Sequence, residues 1–354
     1  MDYKDYAIIL AWPDATIRGD EKWMMFFKKL GVVKNLNFKV GHTGVVIVNH
    51  RSGEMRFYDF GRYIAPRGYG RARSKDSDPL LHIDFRAVIE NDEIQNIEDI
   101  VRYFETLKPA MYGEGRLFFS VANEINFDLA KAYGDHCVYQ GTYPYGAVAR
   151  NNNNCSRFIT RMLMKSSTKF HFWHGINLPE TIKASPVSNL VNASASRQVW
   201  SYTPEDGLKG FRMNRWQSFA FLVKQLRDNV YSQKASLLPN DLIIGAVEFG
   251  SKPISVPKFA KYLGGVGDGA WYFLLEKADG HIEVSRYSSK GQLEYVVLGE
   301  ADQPVDLHEE WDITYDSHLL FTHIVQQGRK IRINHIEQLP LEHYKLKNIA
   351  ERYA

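Results

Sequence analysis

The residue that first suggests chemistry is a cysteine at the predicted start of an amphipathic helix. Cys155 follows a run of asparagines, and apolar residues recur behind it at helical spacing, at positions 158, 159, 162 and 163. Asn153 or Asn154 can cap this helix through its side-chain oxygen. The helix dipole and the unpaired N–H groups of a first turn favour a negative charge and lower the pKa of a thiol. Cys155 is therefore a candidate nucleophile; the alternative is a buried cysteine that only packs.

A histidine inside a predicted buried strand is a candidate base for this nucleophile. The stretch from Lys39 to Asn49 is apolar and rich in β-branched residues, and His42 lies near its start. A core histidine that is hydrogen-bonded to the backbone would explain His42 on its own. Together with Cys155, the imidazole can take the thiol proton and later protonate a leaving group. The two residues thus predict a cysteine nucleophile and its base.

An aspartate at the end of the next predicted strand is the candidate third member. Asp59 can orient the imidazole and hold its tautomer. With a two-residue turn at Ser52-Gly53, we expect Val46 to lie opposite Asp59. Asp59 then shares a sheet face with His42 but lies about 13 Å along it. A bulge or a longer loop would close this gap; the alternative is that Asp59 is a solvated strand end.

The order of these residues, histidine first and cysteine later, is the reverse of the order in papain. The motifs Gly41-His42-Thr43-Gly44-Val45-Val46 and Asn154-Cys155-Ser156-Arg157-Phe158 resemble the histidine strand and cysteine helix of circularly permuted NlpC-type papain-fold enzymes. These enzymes include the lecithin:retinol acyltransferase-like enzymes and a bacterial branch of permuted cysteine amidases or peptidases. The resemblance covers roughly residues 5–170.

This resemblance implies both a fold and roles for individual residues. The fold class would be α+β, a permuted papain-like domain in which the cysteine-bearing helix packs on an antiparallel sheet. Cys155 would be the nucleophile, His42 the base and Asp59 the orienting residue. Tyr145 would match a tyrosine that the bacterial branch carries before its cysteine, and we assign it to substrate binding.

Arginines follow the predicted hairpin in a loop that is rich in Gly, Pro and Tyr, from Arg62 to Arg73. Such a loop is usually solvated. Its position directly after the hairpin also suits recognition of an anionic substrate group. Arg62 and Arg67 are the candidates for this contact.

No metal or cofactor is expected. His171 and His174 have helical spacing but no further ligand at metal-binding spacing, so they indicate a packing cluster. The glycine-rich stretch 264–269 lacks the Lys-Ser/Thr pair of a phosphate-binding loop.

The composition changes along the chain and predicts two domains. Residues 1–177 would form the papain-like domain. Residues 178–204 are rich in Ser, Asn and Ala without periodicity, and we assign them to a linker. Residues 205–354 begin with a helical pattern and continue as short strands joined by hairpin turns, which predicts a β-rich second domain with a helix.

Overall composition excludes several classes of protein. The chain has 354 residues and a formal net charge of +3, which does not indicate a nucleic-acid partner. It contains no run of about 18 apolar residues, so no integral membrane segment is expected. The polar N-terminus does not resemble a signal peptide, and we expect a cytoplasmic location. Two cysteines are too few for a disulfide framework.

These observations favour a cysteine hydrolase or acyl-transfer enzyme of the peptidase or amidase type. Its substrate would be a small molecule, a peptide or an acyl compound with an amide, peptide or ester bond. The alternative is a non-catalytic binding or scaffold protein that retains a papain-like fold.

Overall fold

The computed structural model describes residues 2–18, 37–66, 68–146, 152–168, 185–230, 251–264, 269–315, 317, 319–342 and 344. Contacts within the chain divide it into two compact units. The first unit comprises Met1–Gly61, Gly70–Lys75 and Leu80–Ile244, and the second comprises Arg62–Tyr69, Asp76–Pro79 and Gly245–Ala354. Two short segments near residues 62 and 76 therefore belong to the second unit, although the chain around them belongs to the first.

An eight-stranded sheet forms the centre of the first unit. Its strands in spatial order are β10 (Thr142–Pro144), β6 (Tyr69–Arg73), β5 (Met55–Gly61), β4 (His42–Val48), β1 (Asp5–Trp12), β9 (Leu117–Ile125), β11 (Gln198–Thr203) and β12 (Gly207–Arg212). From β6 to β12 the neighbouring strands pair antiparallel. Two separate pairs join β2 (Thr16–Arg18) to β3 (Asn37–Lys39) and β7 (Ile89–Glu90) to β8 (Glu93–Ile94).

Helices cover both faces of this sheet. They are α1 (Ile97–Thr106), α2 (Phe127–Gln140), α3 (Cys155–Ser166), α4 (Pro186–Ala193) and α5 (Arg215–Val230), with a 3₁₀ turn at Pro79–Leu81. On one face, Ile8, Val46 and Phe57 pack with Phe104 of α1. On the other face, α3 contacts β4 and β5, and α4 contacts β1 and β9. Every residue of β4 is buried, because helices cover both faces of the sheet, and this fits the apolar run from Gly44 to Val48.

The register between β4 and β5 differs from the one expected. Gly44, instead of Val46, lies opposite Asp59. The expected two-residue turn is therefore wrong, and the connection is a longer loop. Because the pairing is displaced by an even number of residues, Asp59 keeps the face of His42 and lies closer to it.

The longer loop is stabilised by a single asparagine. The side-chain oxygen of Asn49 accepts hydrogen bonds from the backbone N–H groups of Arg51 (3.1 Å) and Ser52 (2.9 Å). The backbone N–H of Gly53 also bonds to the carbonyl of Asn49, at 2.9 Å. An Asn side chain that bonds to the backbone two residues on is a known alternative to a tight hairpin turn.

The structure also differs from the expected linker at residues 178–204. Residues 178–184 lie outside the described part, but α4 and β11 occupy most of the remainder and both belong to the first unit. Ser185 caps α4 by accepting a hydrogen bond from the N–H of Ser188, at 3.1 Å. The polar residues that favoured a loop are thus helix caps and buried hydrogen-bonding groups. The contact-based division falls at residue 244, and the limits of independently folding domains stay a prediction.

The second unit is β-rich. Its seven-stranded antiparallel sheet has the spatial order β13 (Lys261–Gly264), β14 (Gly269–Glu276), β15 (Ile282–Ser288), β16 (Leu293–Ala301), β19 (Arg329–Gln338), β18 (Phe321–Gln326) and β17 (Asp312–Ile313). Tyr272, Tyr295 and Ile333 lie in its core. The sequence predicted most of these strands from their composition and from the hairpin turns between them, and three of those turns carry a glycine with positive φ, namely Gly280, Gly291 and Gly328.

The fold class expected from the sequence is confirmed. The protein is α+β, with a cysteine-bearing helix on an antiparallel sheet and a second β-rich part. The helix expected in that second part, α5, belongs by its contacts to the first unit. Among the described helices, none is long and apolar enough to cross a membrane.

Candidate active site

Cys155 is the first residue of helix α3, as expected. Asn154 precedes the helix in an extended conformation, and its side-chain oxygen accepts a hydrogen bond from the N–H of Arg157 at 2.8 Å. This capping bond satisfies one of the free donors of the first turn. The N–H of Cys155 itself has no partner within a regular helix. The thiol is buried, with 8% of the residue exposed.

Packing on both sides fixes the start of α3. Phe158 lies in the face of the helix that meets the sheet, and its ring stacks on Phe60 of β5 with 6.0 Å between centroids. Asn189 of α4 donates a hydrogen bond to the carbonyl of Ser156 at 2.9 Å. Its side-chain oxygen also accepts from Thr160, at 3.2 Å. The first turn is therefore held by the neighbouring helix as well as by its cap.

His42 begins strand β4 and is also buried. Gly41 precedes it with φ +84°, and a Cβ there would lie 2.8 Å from the Cα of Pro13, so only glycine fits. Trp12 of β1 is the register partner of His42, and the two rings stack at 6.4 Å with an interplanar angle of 12°. This contact restricts the tilt of the imidazole.

Asp59 contacts the histidine directly. Its Oδ2 lies 3.2 Å from Nε2 of His42, and the aspartate is completely buried. The register described above makes this contact possible, because Asp59 is opposite Gly44, two residues from His42 on the same face. Since Nε2 bonds to Asp59, Nδ1 is the ring nitrogen left for the thiol.

Arg73 holds the other side of the Asp59 carboxylate. The two residues lie directly opposite each other in β5 and β6. Nε of Arg73 donates to Oδ1 at 3.1 Å, and Nη2 donates to Oδ2 at 2.8 Å. Arg73 was expected to be part of a basic loop, and its contact with Asp59 was not predicted. The alternation of Arg71 and Arg73 was the available signal, since it predicts a strand with both arginines on one face.

The electrostatics of the cluster follow from these contacts. Burial alone would lower the pKa of His42, but hydrogen bonds to Asp59 and Cys155 outweigh it and raise the pKa to about 9. The Cys155 thiol is thus one of the two hydrogen-bond partners that raise the pKa of the imidazole. Burial would raise the pKa of Asp59, but the charge of Arg73 and the hydrogen bonds from His42 and Arg73 lower it to about 2. Near neutral pH, His42 is thus an imidazolium and Asp59 a carboxylate, with the Cys155 sulfur as a further partner of the imidazolium.

The three predicted substrate-binding residues have different positions. Tyr145 is buried, its ring stacks on Phe60 at 6.1 Å, and it forms a backbone bridge with Asn153. Tyr145 therefore supports the segment that leads to Cys155. Arg62 is partly buried and belongs to the second unit, and Arg67 lies outside the described residues. Substrate binding by these three residues stays a prediction.

Possible metal ligands were compared in the part of the chain that the structure describes. No group of three His, Cys, Asp or Glu side chains there is placed to hold an ion. His171 and His174 lie outside the described residues. Cys137 and Cys155 are both free thiols.

The first unit is thus an α+β structure in which a helix-start cysteine meets a buried histidine–aspartate pair. Residues 7–172, just under half of the chain, match a family described as type VI secretion system effector TseH-like. This stretch includes Cys155, His42, Asp59 and Arg73. Residues 260–336 match the family described as DUF6695 C-terminal domain.

One solved structure is also similar to this chain. The chain is similar to the crystal structure of the type VI secretion system effector TseH, with 17% identity and a TM-score of 0.40. The match covers 59% of this chain and 98% of that chain. None of the curated proteins matches this sequence.

Proposed function

We propose that this protein is a cysteine hydrolase or acyl-transfer enzyme whose first unit is a permuted papain-like domain. Cys155 is the nucleophile, His42 is the general base and acid, and Asp59 orients the imidazole. One observation carries the proposal: His42 is buried and contacts both Cys155 and Asp59. A nucleophile next to a base, with the base oriented by a third group, is the arrangement that covalent catalysis requires.

The reacting form of the site is the Cys155 thiolate paired with the His42 imidazolium, in which the thiol proton is already on the ring. The thiolate then attacks the carbonyl carbon of an amide, peptide or ester bond, and the N–H of Cys155 stabilises the oxyanion. The imidazolium gives its proton to the leaving nitrogen or oxygen, which leaves an acyl group on the sulfur. Water or a second acceptor, deprotonated by His42, attacks this thioester and takes the acyl group, which restores the thiolate and the imidazolium.

The family match extends the proposal to the setting in which the enzyme acts. The matched family is described as type VI secretion system effectors, and we assign the same role to this chain. An exported effector acts outside the cell that makes it, so this role differs from the cytoplasmic location expected from the sequence.

The test compares two thiols in one molecule. Cys137 and Cys155 are equally buried, each with 8% of the residue exposed, so access alone does not distinguish them. Burial raises the pKa of the Cys137 thiol. At pH 6, iodoacetamide or a peptidyl vinyl sulfone should modify Cys155 at least about 10-fold faster than Cys137. Peptide mass spectrometry locates the adduct.

Three variants complete this experiment. Cys155→Ser should abolish the fast labelling, Cys137→Ser should leave it unchanged, and His42→Gln should slow it because the imidazolium is lost. Equal labelling of both cysteines, or fast labelling in His42→Gln, would leave the binding or scaffold protein as the better description.

A further inference from the structure

Arg73 is as deeply buried as the residues of the proposed catalytic cluster, with 3% of the residue exposed. Its guanidinium bonds to both oxygens of Asp59. The Oδ2 atom that accepts from Nη2 of Arg73 also faces Nε2 of His42. The orientation of the carboxylate toward His42 is therefore fixed by two parallel bonds from the opposite side.

The same guanidinium is anchored to the segment that follows helix α1. Nη2 of Arg73 donates to the carbonyl of Ala110 at 3.0 Å. The ring of Tyr112 lies 5.3 Å from the guanidinium carbon, at the distance of a cation–π contact. Arg73 thus connects Asp59 to a segment outside the sheet.

The same segment also contacts the residue that stacks on His42. A Cβ at Gly113 would lie 2.7 Å from the indole ring of Trp12, so the backbone of Gly113 packs directly on this ring. Trp12 in turn stacks on His42. Residues 110–113 are therefore connected to the imidazole by two series of contacts. One runs through Arg73 and Asp59, and the other runs through Trp12.

We propose that Arg73 is a positioning residue of this site, which keeps the Asp59 carboxylate oriented toward His42 and anchors it to residues 110–113. The proposal rests on the function proposed above. Lysine would not replace Arg73, because only the planar guanidinium presents two donors in the spacing of a carboxylate.

The catalytic cycle gives a physical reason for a second cation at this position. When His42 protonates the leaving group, the ring becomes neutral and no longer compensates the buried charge of Asp59. A guanidinium keeps its proton under all working conditions. Asp59 therefore stays ionised in both halves of the cycle, and the proton moves between His42 and the reactants without passing to the carboxylate.

The test uses Arg73→Gln, Arg73→Lys and the control Arg56→Gln in the full-length protein. Arg56 lies in β5, is also buried, and pairs with Asp135 at 4.0 Å instead of with Asp59. The charged groups that face Asp59 are His42 from β4 and Arg73 from β6, and Cys155 from α3 faces His42. Two quantities are measured: the carboxyl ¹³C titration of Asp59, assigned with Asp59→Asn, and the rate of Cys155 alkylation at pH 6.

In Arg73→Gln, Asp59 should titrate at a higher pH than in the wild type, where its pKa is about 2. Cys155 alkylation should slow by roughly 10-fold or more, the effect typical of losing an outer partner of a functional residue. Arg73→Lys should keep Asp59 ionised at pH 4 and still slow the alkylation, because the charge remains but the two parallel bonds do not. Arg56→Gln should lower the unfolding temperature without changing either quantity.

A folded Arg73→Gln protein with the wild-type Asp59 titration and alkylation rate would overturn the proposal. If Arg73→Gln does not fold, Arg73→Lys provides the test. A wild-type rate of Cys155 alkylation in Arg73→Lys would also overturn the proposal. A wild-type Cys155 that reacts no faster than Cys137 would count against the proposed function instead. The Asp59 titration would still show whether Arg73 holds the carboxylate.

Discussion

The charge state of His42 is a balance between burial and its two partners. Because the pKa of His42 is raised from 6.5 to about 9, its protonation stabilises the fold below pH 6.5, and this contribution is lost as the pH rises through about 9. The pKa of Asp59 is lowered from 3.8 to about 2. Its contribution is present above pH 3.8 and is lost as the pH falls through about 2. Both contributions are complete between about pH 4 and 6.5.

The substitution Asp59→Asn tests this balance directly. It removes a hydrogen-bonded negative charge from Nε2, so the pKa of His42 should fall by about 1 to 3. Imidazole NMR titration measures the change, with the resonance assigned by His42→Gln. The matched control is Asp135→Asn, since Asp135 bonds to Tyr58 and Lys131 instead of to the histidine. An unchanged titration in Asp59→Asn would show that another group raises the pKa of His42.

At the level of elements, the loop between β4 and β5 decides whether the cluster can form. Gly53 in this loop has φ +67°, and its carbonyl accepts a hydrogen bond from the N–H of Ala87 at 2.9 Å. A Cβ at Gly53 would lie 2.2 Å from the carbonyl oxygen of Ala87. The loop therefore packs directly on the backbone of Ala87, which cannot move aside as easily as a side chain.

Gly53→Ala should destabilise the protein through both strain and collision. Gly207 provides the control, because it has a similar φ of +65° but open space around its Cβ position. Gly207→Ala should cost about 1 kcal/mol for the left-handed backbone alone. Gly53→Ala should cost about 2 kcal/mol more, as in overpacked sites. Urea denaturation of the two variants measures the difference, and equal midpoints would show that Ala87 moves aside freely.

The elements that the sequence predicts well are those whose signals lie within a few residues. The spacing of apolar residues and the asparagine cap predicted α3 and placed Cys155 at its start. The predicted strand placed His42 correctly, and period-two alternation gave Asp59 the right face. The contact between them depends on the length of the loop, which was expected to be a two-residue turn. Asn49, whose side chain bonds to the N–H groups of Arg51 and Ser52, was a local signal for a different turn.

Features that depend on pairing between distant segments were missed. Arg73 contacts Asp59 because β6 pairs with β5. The sequence around residue 70 is rich in Gly, Pro and Tyr, which indicated a loop instead of strand β6. Asn189 and the neighbouring serines indicated a linker, but they serve as caps and buried bonding groups once α4 packs on the sheet. Polarity in a sequence does not distinguish a solvated group from one with a partner elsewhere.

At the scale of the whole molecule, the second unit takes part of its core from the first half of the chain. Ile64 is completely buried in the cluster that contains Tyr272 and Ile324. It lies between β5 and β6, the strands that carry Asp59 and Arg73. Removal of the chain after residue 244 would therefore leave Ile64 without its packing partners.

A protein that ends at residue 244 should consequently be less soluble than the full chain. The change Ile64→Ser should restore solubility to the shortened protein, because it removes an apolar side chain that has lost its core. In the full-length protein the same change should lower the free energy of unfolding by at least about 2–5 kcal/mol. Sedimentation and urea denaturation measure the two effects. A shortened protein as soluble as the full chain would show that Ile64 finds other cover.

The burial of Ile64 in the core of the second unit also affects how the gene for this protein can recombine. A domain that is joined end to end can be gained or lost by one recombination event in the gene. The β-rich unit here cannot be transferred in that way without a defect, because part of its interior is encoded ahead of residue 245. We expect an exchange of the later segment alone to succeed only with a compensating substitution in the segment between β5 and β6, such as Ile64→Ser.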